Sequence, residues 1–253
     1  MEKKRILISN DDGIYGPGLE PLERALARMG EVFVVVPDQE RSTASHSLTL
    51  HKPLRVKQMG ERKYILNGTP ADSVRFAILH LLHGRVDLVV AGINSGVNLG
   101  EDVIYSGTVA SAVEATLIGV DAIAVSRPHE ANPAAFVPAA RVAAQVARAV
   151  LKNGLPRGIC LNLNVPAALN GGTGKVKGIA VTGLGHRLYG KKVTIRRDPR
   201  GHQYFWLLAK SVLGVPTPGS DVEAFERGYA TLTPLSLDWT AQYYIPEIKR
   251  WKF

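Results

Sequence analysis

In the stretch ISNDDGIYGPG, residues 8–18, two carboxylates stand side by side where an apolar run gives way to a glycine-rich turn. Asp11 and Asp12 repel each other at that separation, and a bound cation relieves the repulsion. Asp-Gly is also a common hairpin signal, but the residues after Gly13 have a helical pattern rather than that of a second strand. Other polar groups follow later apolar runs. Asp38, Arg41, Ser42, Ser45 and His46 come after EVFVVVP, and Gly92, Asn94, Ser95, Gly96, Asn98 and Gly100 close and follow VDLVVAG. Carboxylate, hydroxyl and amide oxygens suit a hard divalent ion such as Mg²⁺ or Mn²⁺ better than zinc. The seven histidines form no HExxH pair.

Ser106-Gly107-Thr108 opens a helical segment, SGTVASAVEATLIG. A helix N-terminus offers free N–H groups and positive potential, and glycine lets a phosphate come close. Capping of the helix by Ser106 is compatible with that role. A metal beside an anion site points to metal-assisted hydrolysis of a phosphate ester. The GINSGVNLG stretch has neither the lysine nor the spacing of a P-loop. In NDDGIYGPG the carboxylates occupy the turn where a dinucleotide-binding fold receives a pyrophosphate.

These groups lie far apart in sequence, so the elements between them must gather them. RILISN reads as a first strand, and Leu19, Leu22, Leu26 and Met29 recur at helical spacing, with Gly30 as a stop. EVFVVVP is a second strand closed by Pro37, and LRVKQM and RKYILN form a hairpin. Thr69-Pro70-Ala71-Asp72 opens a helix with Thr69 as N-cap and Pro70 at the first helical position. VDLVVAG and DAIAVS are further strands, and residues 133–153 form a long alanine-rich helix. Continuous apolar strands alternating with helices predict a mainly parallel α/β sheet covered on both faces, a three-layer Rossmann-like core. In such sheets ligands bind beyond the carboxyl ends of the strands. The expected organisation is one domain over residues 1–253. Residues 1–155 form the core, and 156–253 add strands (KVKGIAVTG, KKVTIRR, QYFWLLAK, ATLTPLSLD), a short helix over 221–228, a hairpin and a basic aromatic tail from Tyr243.

Length and composition fit an ordinary soluble globular chain of 253 residues. No run is read as a membrane span of ~20 apolar residues, and MEKKRILIS breaks at Asn10 before a secretory apolar core is complete. The lone Cys160, in the apolar stretch GICLNLNV, excludes an intrachain disulfide and a cysteine-rich zinc site, and favours a cytoplasmic location. A net charge of +9 suits an anionic ligand or nucleic acid, and equally a solubilising surface.

The motifs ILISNDDGIYGPG, PDQERSTASHSLT, LNGTPADSV, AGINSGVNLG, YSGTVASAVEA and SDVEAFERGYATLTPL together resemble the SurE family, the stationary-phase survival protein nucleotidases. The resemblance covers nearly the whole chain. It implies a metal-dependent phosphatase acting on nucleoside 5′- and 3′-monophosphates, with some action on polyphosphate. It implies one divalent ion per subunit held by Asp11, Asp12, Ser42 and Asn94, and a homodimer or homotetramer in which the C-terminal hairpin and tail are exchanged. Two positions depart from the family pattern: Thr43 stands where glycine often follows the metal-site serine, and Ser73 replaces a cysteine.

The expected chemistry is attack by water on a metal-bound phosphoryl group. Asp11 or Asp12 accepts a proton, and Asn10, Gly13, Gly96, Asn98, Ser106, Gly107 and Thr108 line the phosphate site. Adjacent rather than alternating aspartates favour direct attack by water over an aspartyl-phosphate. A rival function is RNA binding through Lys191, Lys192, Arg196, Arg197 and Arg200 on the hairpin and Lys249, Arg250, Trp251 and Lys252 in the tail, where charge is interleaved with aromatic rings. It is not the expected main role, since a solvated face accounts for the same residues. A third possibility is a regulatory oligomer with a vestigial site, against which the intact donor set argues.

Overall fold

A computed structural model describes residues 3–167, 176–190, 193–207 and 213–253. β1 (Lys4–Ser9) leads through the acidic turn to α1 (Leu19–Leu26) and β2 (Gly30–Pro37). The hairpin β3 (Val56–Gly60) and β4 (Lys63–Leu66) follows, then α2 (Pro70–Phe76), which continues as a π-helical turn over Ala77–Leu81. Next come β5 (Leu88–Ser95), the short α3 (Asp102–Tyr105), α4 (Gly107–Ile118), β6 (Ala122–Arg127) and α5 (Val137–Asn153). The remaining elements are β7 (Ile159–Asn164), β8 (Ile179–Val181), β9 (His186–Leu188), β10 (Thr194–Arg197), β11 (Gln203–Trp206), β12 (Leu213–Val215), α6 (Asp221–Glu226), β13 (Ala230–Ser236) and α7 (Ile245–Ile248).

Nine strands form one sheet in the order β3-β4-β2-β1-β5-β6-β7-β13-β8. The strands from β4 to β7 run parallel, while β3 and β13 run antiparallel to their neighbours β4 and β7. The chain moves outward from β1 to β2 and β4, then returns to the other side of β1 through β5, β6 and β7. The strand order therefore reverses between β1 and β5, the place beyond whose carboxyl ends open α/β sheets bind ligands.

Alternate residues of each central strand enter opposite cores, as a sheet covered on both faces requires. Ile6, Ile8, Val34, Val36, Leu88 and Val90 pack under α1 and α5 with Leu22, Leu26, Ala143 and Ala147. Leu7, Val35 and Val89 pack under α2 and α4 with Val74, Val109, Ala112 and Cys160. By length and composition alone, residues 133–153 are apolar enough to cross a membrane, a property the sequence expectation passes over. In the fold their alanine face is instead buried against α1 and the sheet.

Some boundaries differ from the pattern-based expectation. Gly30 does not stop a helix; α1 ends at Leu26 and Gly30 opens β2, where a Cβ would lie 2.1 Å from the Lys4 carbonyl oxygen of β1. Residues 133–153 begin as a 3-10 turn over Pro133–Phe136 and become α-helical at Val137. The short helix near the C-terminus ends at Glu226 rather than Gly228. GICLNLNV supplies β7, and β13 and β8 extend the same sheet, so the sheet continues across residue 155. Lys191, Lys192 and part of the QYFWLLAK run lie outside the described residues. Arg196 and Arg197 lie on an exposed two-stranded ribbon, β10 with β11, separate from the nine-stranded sheet.

The loop after β2 holds two non-glycine residues in the left-handed region, Thr43 and Ser45 (φ +50°). Thr43 adopts φ +58°, in the left-handed region, and its hydroxyl donates to the Ser42 carbonyl oxygen at 2.7 Å. A β-branched residue is disfavoured there and glycine is not.

Leu22→Ala, which empties a fully buried position under the sheet, is expected to cost about 2–5 kcal/mol in denaturant unfolding. Thr43→Gly is expected to leave stability unchanged or raise it by up to about 1 kcal/mol, as relief of the left-handed strain offsets the added freedom of the unfolded chain. A loss above about 1 kcal/mol in the same assay would show that Thr43 is favoured in its loop.

Candidate metal centre and phosphate site

The acidic turn starts where β1 ends. Asn10 closes it, its side chain accepting from the Gly13 N–H at 3.0 Å and donating to the Gly13 carbonyl oxygen at 2.9 Å. Asn10 is thereby spent on shaping the backbone that presents Asp11 and Asp12. Asp11 is 4% exposed and points at the start of α4, where the Thr108 hydroxyl donates to its Oδ1. Gly107 makes this approach possible, because a Cβ there would lie 3.0 Å from the Asp11 Cβ and 3.1 Å from its Oδ2. Asp12 is less buried and accepts a long hydrogen bond, 3.3 Å, from the Ser95 N–H.

Ser95 reaches Asp12 because β5 is irregular. Its register with β6 shifts between Ala91 and Asn94. Gly92 has φ +132°, and a Cβ there would strike the Val125 carbonyl oxygen at 2.3 Å. Only glycine fits that position. Past the shift, the Asn94 side-chain nitrogen donates to the Gly96 carbonyl oxygen at 2.8 Å.

The two carboxylates are costly to ionise without a counter-ion. Burial pushes Asp11 above the ordinary carboxylate range, against the opposing hydrogen bonds from Thr108. Burial, then the neighbouring charge of Asp11, pushes Asp12 up to about 6. Glu40 adds to the repulsion on both, while His129 pulls Asp12 back. All of these shifts reflect negative charge held close in a partly dry crevice.

Ser42 lies on the loop after β2, exposed, with its hydroxyl donating to Glu40 at 2.6 Å. The loop is tied to the site through the Arg41 N–H, which donates to the Asp11 carbonyl oxygen at 2.8 Å. Farther along, the Ser45 hydroxyl donates to the Ile104 carbonyl oxygen at 2.8 Å, and His46 Nε2 meets Glu114 Oε2 at 2.7 Å. Burial raises the Glu114 carboxyl, but hydrogen bonds and charge from His46 and Arg75 outweigh it and hold the group below its ordinary value. The LNGTPADSV segment anchors the end of the loop. Thr69 caps α2 in a reciprocal box with Asp72 and donates to the Ser47 carbonyl oxygen, while Asp72 accepts from the Thr49 N–H.

The remaining expected residues sit on the same edge in varied roles. Ser106 caps α4, accepting from the Val109 N–H at 3.1 Å. Asn98 is buried: its N–H donates to Asn164 Oδ1, its carbonyl oxygen accepts from Asn162 and Asn164, and its side chain donates to Ser126. The Gly96 N–H donates to the Arg127 carbonyl oxygen. The fold thus brings Asp11 against Gly107 and Thr108 and sets Asp12 against Ser95, the neighbour of Asn94, while Ser42 turns towards Glu40. Glu40, His129, Asn162 and Asn164 are supporting residues that pattern reading did not single out, whereas Ser95 was among the polar groups noted after VDLVVAG. His129 Nδ1 lies 3.0 Å from the Ser95 hydroxyl. Alternating asparagines in the apolar run ICLNLN were the available signal for Asn162 and Asn164. Among the described residues no group of three His, Cys, Asp or Glu side chains converges to hold a metal. An ion here would therefore depend on two carboxylates supplemented by hydroxyl and amide oxygens.

Comparison with known proteins bears on the family of the whole chain. The family described as "Survival protein SurE" matches residues 6–191. A "5'-nucleotidase SurE" from Geotalea daltonii is 42% identical over 98% of this chain and 99% of its own length. One from Pelobacter propionicus is 44% identical over the same shares of each chain. The crystal structure of the SurE protein from Aquifex aeolicus superposes with a TM-score of 0.83 at 36% identity, covering 97% of this chain and 98% of that one. The chain belongs to the SurE family.

Proposed function

We propose that this chain is a metal-dependent nucleotidase that hydrolyses nucleoside 5′- and 3′-monophosphates to nucleoside and phosphate. The observation that carries the reading is the pair Asp11–Asp12, crowded and partly buried at the β1/β5 switch point beside the N-terminus of α4. The names of the relatives support the activity class. The donor chemistry fits one Mg²⁺ or Mn²⁺ per subunit, since two repelling carboxylates and free hydroxyl and amide oxygens form a hard, anionic set. Asp11, Asp12, Asn94 and Ser42 would hold the ion, with Ser42 turning from Glu40. When bound, the ion supplies Lewis-acid polarisation of the phosphoryl oxygen and lowers the pKa of a water.

The chain's own residues do the rest. Thr108 fixes Asp11 in one orientation, so its carboxylate has no freedom to lose on binding. Asp12 is the freer carboxylate, with one long hydrogen bond, and it accepts the proton of the attacking water. The first N–H groups of α4 have no partners within the helix. Ser106 takes that of Val109 and Thr108 turns towards Asp11, leaving the Gly107 N–H for a phosphate oxygen. Gly96 and Asn98 shape the opposite wall. Polyphosphate ends offer the same terminal phosphoryl group and are a secondary substrate. Assembly as a homodimer or homotetramer through the C-terminal ribbon and tail is consistent with the exposure of Phe205, Trp206, Tyr243 and Phe253.

Phosphate release from a nucleoside monophosphate panel is expected to vanish on chelation and return with Mg²⁺ or Mn²⁺. Asp11→Asn and Asp12→Asn are each expected to lower kcat/KM by about 10²-fold or more; a folded wild type that releases no phosphate with either metal overturns the reading. Thr108→Val leaves Asp11 unheld and is expected to cost about 10–100-fold in metal affinity or turnover. Without metal, Asp12→Asn removes repulsion and is expected to melt at or above the wild-type temperature, by roughly 2–4 °C for each ~1 kcal/mol relieved. Added Mn²⁺ should stabilise the wild type far more than the variant.

A further inference from the structure

A groove of about 590 Å³ lies away from the acidic turn, between α1 and α5. Its floor is made of small residues, Ala25, Ala140 and Ala144, which hold the helix surfaces low. Arginines form both walls, Arg24 and Arg28 from the α1 side and Arg141 and Arg148 from α5. Arg24 is paired with Glu20 at 2.5 Å. Arg28, Arg141 and Arg148 have no ion-pair or hydrogen-bond partner among the described residues. With Glu20 the only acidic side chain in the lining, the groove carries an uncompensated positive charge.

The spacing bears on the ligand. Arg141 and Arg148 lie two turns apart on one face of α5, ~10 Å along its axis, and Arg24 and Arg28 about one turn, ~6 Å. A ligand with a single phosphate would engage one end and leave the other guanidinium groups unpaired, whereas a linear anion with several phosphates meets them in succession. No aromatic side chain lines the groove, so it lacks the stacking platform by which single-stranded nucleic acid is held. Both helices connect parallel strands, so both run back from the carboxyl edge of the sheet. The groove therefore starts at the edge that carries Asp11 and Asp12 and leads away from it.

We propose that the α1–α5 groove is a binding site for a linear oligophosphate, separate from the site of hydrolysis and independent of metal. Bound there, such a chain is held along the helices with one end near the carboxyl edge.

The test is calorimetric titration of the whole chain, free of divalent metal, with orthophosphate, tripolyphosphate and a short single-stranded RNA. Tripolyphosphate is expected to bind at least tenfold more tightly than orthophosphate, with affinity falling as salt rises. The double variant Arg141→Glu/Arg148→Glu, both exposed positions, is expected to lose at least tenfold in tripolyphosphate affinity while keeping its melting temperature and its hydrolysis of nucleoside monophosphates. Asp12→Asn is expected to bind tripolyphosphate like the wild type, so failure of the hydrolysis reading leaves this result standing, and the reverse. Equal binding of orthophosphate and tripolyphosphate, or no tripolyphosphate binding, would overturn the proposal. So would undiminished binding by the double variant, or RNA binding more tightly than tripolyphosphate and being lost in the same variant. Arg28→Ser, on the opposite wall, provides a second check: an unchanged affinity would exclude a ligand spanning both walls.

Discussion

Two adjacent carboxylates held in a crevice that resists their charge are the constraint around which the rest of the protein is arranged. Asp11 is nearly sealed and Asp12 half so, and both are harder to ionise than a free side chain. Such a pair persists only where surrounding structure holds it, and here each neighbour is accounted for. Asn10 fixes the turn, Thr108 fixes Asp11, and Ser95 touches Asp12. A cost in stability of this kind is the usual counterpart of a functional site.

That requirement reaches into elements that never touch a ligand. α4 begins with glycine, where a Cβ would crowd Asp11 at 3.0–3.1 Å. β5 breaks register between Ala91 and Asn94, just before the Ser95 N–H that reaches Asp12. The loop after β2 is pinned by His46 to Glu114 and by Thr49 to Asp72, which tie it to two helices and set the region from which Ser42 can approach. Behind these, two hydrophobic cores hold the sheet rigid, so the carboxyl edge behaves as one surface.

The α1–α5 face has a different character. Small residues and unpaired arginines create a basic trough where a typical helix pair would close on larger apolar side chains. Surface arginine is tolerated by the fold, and nothing in packing requires it there. The trough and the acidic turn carry opposite charge and share one edge of the sheet.

Much of this was legible in the sequence because its signals are local. Alternation of apolar runs with helical spacing determined the parallel sheet, and adjacent aspartates after a strand marked the candidate site, since repulsion between neighbours does not depend on the fold. Thr69-Pro70-Ala71-Asp72 announced a capped helix, and the cap is formed. What tertiary structure alone decided were relations between distant segments. Thr108 is read in sequence as a phosphate contact, yet only the approach of α4 to β1 shows its hydroxyl committed to Asp11. Asn98 is locked by asparagines more than sixty residues away, and Ser42 faces Glu40 on its own loop. Gly30 looked like a helix stop, but the close approach of β1 requires it in a strand. Local pattern records what a residue prefers among its neighbours in the chain; which groups meet across a crevice depends on packing that no single segment encodes.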